Sequence, residues 1–305
     1  MYDDDAHQRT RLRKAVLLAA VPLAAAALLA GGWAVTGAAS GGPPGVGRGD
    51  GPGADGRGDG AASAPAGAFP SAGASASAPL AGKVVVIDPG HNPRNFQHPS
   101  EINEKVDIGT GHKECDTTGT STRDGYAEAA FTLDVSHRLR AALQRLGATV
   151  ELTHDADRPF GPCIDERARI GNGAGGGRGA DAVVSVHADG SAAGHRGHHV
   201  ILPGLVKAGA ADTAPIVAPS RALGERVAAE FARATGSAPA NYLGGGTGLV
   251  VREDLGGLNL STVPKVFVEC GNMRDPQDAA ALSDAAWRQK AAQGIANGVS
   301  TYLLR

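Results

Sequence analysis

The chain has 305 residues, 29 basic against 31 acidic side chains for a net charge of −2, and only 4% aromatic residues. No dense Lys/Arg run is interleaved with aromatics, so a nucleic-acid partner is excluded as an expectation. Composition is uneven along the chain, and only the part from about Pro79 onward is rich enough in apolar periodicity to bury a core, at a length suited to one domain.

In chain order, Arg9, Arg11, Arg13 and Lys14 precede an uncharged apolar run from Ala15 to about Val35. A basic flank before such a run is an export signal or a membrane anchor with its basic end in the cytoplasm. Ala15 to Ala30 has signal-peptide length, with small residues at Gly37-Ala38-Ala39 for cleavage. The whole run is also long enough to stay in a bilayer, although Pro22 and Gly31-Gly32 weaken it. Residues 1–37 are therefore expected to export the chain, leaving it in the extracellular space or cell wall or tethered to the outer face of the cytoplasmic membrane. Residues 38–80 are mostly Gly, Ala, Ser and Pro and cannot bury enough surface to order themselves, which predicts a flexible linker.

Residues 81–305 read as one α/β domain. Strands are predicted at Lys83 to Asp88, Ala148 to Thr153, Asp181 to His187, His199 to Leu202, Gly248 to Val251 and Lys265 to Glu269. Runs such as Val84-Val85-Val86-Ile87 and Val266-Phe267-Val268 are apolar on both faces, as in central strands covered by helices. Between them, Ala127 to Leu146 sets Phe131, Val135, Leu139 and Leu143 on one helical stripe, and similar patterns run from about Ser220 to Thr235 and Asp284 to Leu304. This alternation predicts a central, mostly parallel twisted sheet flanked by helices. Of the three cysteines, Cys270 lies in an apolar strand and is expected to be a buried thiol, leaving Cys115 and Cys163 as the expected disulfide in an exported chain.

Three ionisable residues stand at the ends of predicted strands: His91 after Pro89-Gly90, His187, and Glu269. Ligands of α/β sheets gather beyond the carboxyl ends of the strands. Glu128, at the start of the long amphipathic helix, can join them from the side. Two imidazoles and one carboxylate form a catalytic Zn2+ ligand set that leaves one position open for water. A further carboxylate is then needed to move a proton to the leaving nitrogen, and Glu269 is the candidate. Each residue also has an ordinary reading: ten histidines make a chance strand-end histidine common, and Glu128 suits a helix dipole. Glu269 is the hardest to explain that way, because an acid continuing an apolar strand is costly unless paired. The separations, His91 to Glu128 to His187, form no compact signature.

The text around these residues is more specific. VVVIDPGHN at Val84 to Asn92, E-x-x-F-x-L at Glu128 to Leu133, VSVHAD at Val184 to Asp189 and VFVECGNM at Val266 to Met273 resemble the zinc-dependent N-acetylmuramoyl-L-alanine amidases of the AmiC-like (Amidase_3) type. Ile164 to Asn172 resembles a further segment of that family, with Gly171 where it has Ala. The resemblance spans about Lys83 to Leu304. It implies His91, Glu128 and His187 as zinc ligands, Glu269 as catalytic carboxylate, and peptidoglycan as substrate, cut between N-acetylmuramic acid and L-alanine. It departs after His91, where Asn92-Pro93-Arg94-Asn95 replaces the usual Gly-Gly. A polar excursion follows from Phe96 to Thr122, expected to be a loop or hairpin pinned by the Cys115 bridge. Gly204 to Pro219 is a candidate cover for the cleft. His98, His112, His195, His198 and His199 are expected to be solvated loop or edge-strand residues. The chain is expected to work as a monomer. The competing readings are a zinc peptidase acting on stem peptides and an inactive, membrane-tethered wall-binding or activator protein.

Overall fold

The computed structural model describes residues 78–305. The export segment expected at 1–37 and all but the end of the linker expected at 38–80 lie outside the described residues. In chain order the described elements are β1 (Val84–Pro89), α1 (Pro99–Ile102), β2 (Lys105–Asp107), β3 (His112–Glu114), α2 (Glu128–Arg145), β4 (Thr149–Leu152), α3 (Ile164–Gly177) and β5 (Ala182–Asp189). They continue with β6 (His199–Pro203), β7 (Lys207–Ala208), β8 (Ala211–Asp212), α4 (Ala214–Thr235), β9 (Leu249–Arg252), α5 (Gly256–Asn259), β10 (Lys265–Asn272), α6 (Pro276–Ser283) and α7 (Ala285–Leu303).

Six strands form one sheet in the order β4-β1-β5-β10-β6-β9. The first four are mutually parallel, while β6 runs antiparallel to β10 and β9 parallel to β6. The fold is α/β with a mostly parallel sheet. Alternation along β1 explains why its sequence is apolar throughout. Val85 and Ile87 join the core with Phe131, Val135, Leu139 and Leu143 of α2, whereas Val84 and Val86 pack with Ala174 and Val183 on the opposite face. Helices α4 and α7 complete the first layer. A Cβ on Gly298 would lie 2.5 Å from the Val227 Cα, so this glycine lets the two helices meet backbone against backbone.

All six predicted strands are present, with informative differences. β5 and β10 do not stop at His187 and Glu269 but continue to Asp189 and Asn272, the latter through a register irregularity after Glu269. Helix α4 starts at Ala214, not Ser220, and carries Pro219 inside it. As the sixth residue of α4, Pro219 offers no N–H to the Pro215 carbonyl, so one helical hydrogen bond is missing there. Helix α3 contains Gly171 and Gly173 and ends in a glycine run with non-helical angles at Ala174, Gly175 and Gly176. Such glycines disfavour helix, which is why the sequence did not announce it.

The Phe96 to Thr122 excursion holds a 3-10 turn (Asn95–Gln97), α1 and the β2–β3 hairpin, with Cys115 bridged to Cys163 and Cys270 free and buried. The Gly204 to Pro219 segment does not cover the cleft. It forms the β7–β8 turn, where Ala208 and Ala211 pack against Gly109 of the excursion, and then enters α4.

Candidate metal centre

The four candidate residues come together at one end of the parallel strands. β1 ends in Pro89, and His91 follows in the left-handed region at φ 62°. Gly90, between them, has no room for a side chain: a Cβ there would stand 2.4 Å from the His187 ring. His187 lies directly opposite Glu269 across the β5–β10 pair, which puts both side chains on one face of the sheet. Glu128 is the first residue of α2, where the helix dipole favours its charge.

Ligand atoms of His91, Glu128 and His187 all lie within 4.8 Å of one another. Oε1 of Glu128 is 3.2 Å from Nε2 of His91 and 3.0 Å from Nδ1 of His187. The other carboxylate oxygen accepts from the Thr120 backbone N–H at 2.9 Å. Nδ1 of His91 lies 3.0 Å from the Thr117 carbonyl, which can only accept. That contact puts the proton on Nδ1 and leaves Nε2 as a lone pair for a cation. The His187 ring stacks on Phe267 at 5.2 Å, fixing its plane.

Electrostatics point the same way. Burial disfavours charge on His91, but Glu128 and then Asp116 override it and push its pKa up to about 10. Burial likewise works against an ionised Glu128, and His91 and His187 more than offset it, holding the carboxyl well below the usual range. Both directions describe a pocket that stabilises positive charge between these three side chains. Glu269 behaves oppositely: burial, then the negative charges of Glu128 and Asp189, hold its carboxyl well above the ordinary value. Its Oε2 is buried without a hydrogen-bond partner. Two imidazoles and the Glu128 carboxylate are a donor set that zinc accepts, with Glu269 beside it and outside the three-residue cluster.

Behind His91 is a buried ionic chain that the motifs alone did not reveal. Asp88 accepts from Arg167 Nη1 at 2.8 Å and from Lys265 Nζ at 3.0 Å, and Arg167 Nη2 reaches Asp116 at 2.9 Å. The same guanidinium donates to the His91 carbonyl at 3.1 Å. Asp88 is held well below its usual range because Lys265 and Arg167 outweigh its burial. One signal was visible for Asp88, since it is an acid closing an apolar strand, like Glu269. Lys265 offered none, because a lysine at a strand start is ordinarily exposed.

The cleft itself, about 320 Å³, is lined by all four candidates together with Asp189 and Arg252. Tyr242 donates to Asp189 at 2.6 Å, and Arg252 is braced by two hydrogen bonds to Asp254. None of these was anticipated as a site residue: Asp189 closes β5 two residues beyond His187, and Tyr242 and Arg252 are single polar residues on a loop and an edge strand. Of the five histidines expected to be solvated, His112 and His195 are exposed, and His98 is half-buried. His199 is buried because β6 lies inside the sheet between β10 and β9, and His198, just before that strand, is buried against the Phe231 ring. None of the five belongs to the three-residue cluster.

The profile of the family described as N-acetylmuramoyl-L-alanine amidase, Amidase_3, matches residues 85–301. The chain belongs to this amidase family. The matched span opens on β1 and closes within α7, so the amidase domain contains all four cleft residues, the ionic chain and both bridged cysteines. Among curated proteins, N-acetylmuramoyl-L-alanine amidase Rv3717 of Mycobacterium tuberculosis is 41% identical over 236 residues, covering 76% of this chain and 91% of that relative. Among solved structures, the N-acetylmuramyl-L-alanine amidase Ami1 of Mycobacterium smegmatis superposes with a TM-score of 0.66 at 39% identity, over 73% of this amidase and 98% of that chain. The apo form of Ami1 from Mycobacterium abscessus gives 0.65 at 40% identity, over 73% and 100%.

Proposed function

We propose that this chain is an exported zinc-dependent peptidoglycan amidase that hydrolyses the amide between N-acetylmuramic acid and the L-alanine of the stem peptide. The observation that carries the reading is the convergence of His91, Glu128 and His187 within 4.8 Å, next to the unpaired Glu269 oxygen, in a chain 41% identical to an N-acetylmuramoyl-L-alanine amidase. Export is supported by the basic-then-apolar start of the sequence and by the Cys115–Cys163 bond, a linkage that persists in oxidising compartments.

Zinc bound there supplies a Lewis acid that lowers the pKa of water to about 7 and polarises the attacked carbonyl. His91 offers Nε2 while Thr117 holds its other nitrogen, and Glu128 adds the negative charge that makes the ligand set anionic. Glu269, whose carboxyl is held above its ordinary value by burial and by the charges of Glu128 and Asp189, takes the proton from the attacking water and returns it to the departing alanine nitrogen.

Two variants test this. Glu269→Gln should retain zinc and lose about 10²- to 10⁴-fold in turnover, the usual yield of a general acid–base group. His187→Ala should lose zinc and activity together, with metal content read by elemental analysis on both. Glu269→Gln with near wild-type turnover removes that residue from the mechanism. Product analysis of digested peptidoglycan separates the amidase from a stem-peptide peptidase: release of shortened peptides or free amino acids, in place of intact stems, overturns the assignment.

A further inference from the structure

Two recesses flank the clustered imidazoles, and they differ in size and lining. The smaller, about 180 Å³, lies between Ile164, Leu255 and Phe267 and reaches His91 and His187. The larger is a groove of about 640 Å³ walled by Pro93, Phe96, Thr118, Thr120, Ala130 and Arg274. It meets the catalytic cleft at Gly119, which lines both. A Cβ on Gly119 would lie 2.7 Å from both Glu128 Oε2 and the His91 ring, so the groove begins at the ligands themselves.

Phe96 is 67% exposed, although its neighbour Asn95 is fully buried. Asn95 donates to the Thr117 carbonyl at 2.7 Å and accepts from the Gly161 N–H at 2.9 Å. The Thr117 carbonyl is the one that also meets Nδ1 of His91. The turn that presents the Phe96 ring to solvent is thus fastened to the group that orients a proposed ligand, and the ring is held out where its burial has not been used. Across the groove, Arg274 donates to the Ser121 carbonyl at 3.5 Å. An aromatic face beside threonine hydroxyls and a guanidinium suits a sugar, whose C–H faces are apolar and whose edges carry hydroxyl and acetamido groups.

A substrate cut at the cleft must send its acyl half one way and its amine half the other. Clefts for compact organic ligands run to roughly 300–1,000 Å³, and only the larger groove falls in that range. We propose that the Phe96–Arg274 groove binds the glycan strand. Phe96 lies against the N-acetylglucosamine ring next to the muramic acid that bears the scissile amide, and Arg274 addresses its polar edge. The inference takes the identity of the substrate from the amidase reading above.

The test uses wild type, Phe96→Ala and Phe96→Tyr, all expected to fold because the ring is exposed, with matched thermal midpoints as the check. The probes are binding of the N-acetylglucosamine tetrasaccharide by calorimetry, and kcat/KM on polymeric peptidoglycan relative to N-acetylmuramoyl dipeptide. Phe96→Ala should weaken tetrasaccharide binding about tenfold, from losing most of one aromatic side chain's burial. The polymer-to-dipeptide ratio should fall by a similar factor through KM, and Phe96→Tyr should restore both. Unchanged binding and an unchanged ratio in Phe96→Ala overturn the groove assignment. If wild type cleaves neither substrate, it is the amidase reading that fails, while the tetrasaccharide measurement still decides the groove.

Discussion

His199 shows how a single buried side chain can make the fold pH-sensitive without entering the chemistry. It is 2% exposed on β6, opposite Glu269, and its Nδ1 has no partner. Burial, only partly countered by Asp189, lowers its pKa to about 4 against an ordinary value near 6.5. Between pH 6.5 and 4 the unfolded chain binds a proton at this site and the folded one does not, so stability is full above pH 6.5 and falls as the pH drops. The loss amounts to roughly 3 kcal/mol by pH 4. Urea unfolding from pH 7 to 4 should therefore show a steeper decline for wild type than for His199→Gln, and parallel curves would refute the assignment. The sequence did not convey this burial. A histidine reads as solvated unless its strand is known to be internal, and the place of β6 between β10 and β9 depends on pairings between residues distant in sequence. The same pairings decide which strand-end residues meet. His187 and Glu269 were legible because apolar runs led directly into them, whereas Asp189 and Arg252 lie just past the strand ends predicted from sequence and Tyr242 lies in a loop.

Among the elements, α3 matters less for its apolar face than for one arginine. Arg167 is 5% exposed and ties α3 to Asp88 at the end of β1, to Asp116 beside the bridged cysteine, and to the His91 backbone. Removing one member of such a buried ionic set leaves the others uncompensated, at a cost of about 3–5 kcal/mol. Arg167→Met should lower the urea midpoint accordingly. It should also weaken zinc retention, since Asp116 stands 3.5 Å from His91 Nδ1 and loses its anchor. A stable Arg167→Met protein with full zinc content would show that this chain is dispensable. At this scale the sequence was a good guide wherever burial is two-sided and apolar, as in β1 and β10, and along the α2 stripe. It was silent where glycines interrupt a helix, as in α3, or where a lysine is paired in the interior, as at Lys265.

For the whole molecule, the covalent link between Cys115 and Cys163 spans 48 residues and joins the excursion carrying Asp116 and Thr117 to the start of α3. Closing a loop of that size restricts the unfolded chain by up to about 4 kcal/mol on the chain-entropy account. Cys115→Ser/Cys163→Ser should melt at a lower temperature than wild type, by several degrees in a domain of this size. Equal melting temperatures would mean that the packing of the excursion, and not the link, holds it in place. The bridge was legible from the setting of the three cysteines.

The corner at His91 has one more consequence. A side-chain-bearing residue there, at φ 62°, adopts a backbone shape that only glycine takes freely, at a penalty of about 1–2 kcal/mol. The imidazole and the relaxed main chain are mutually exclusive at this position. Glycine at this corner would relax the main chain yet leave the buried carboxylates of Glu128 and Asp116 without their imidazole partner, a larger loss than the strain relieved, so the acids around the corner are what hold a strained residue in place.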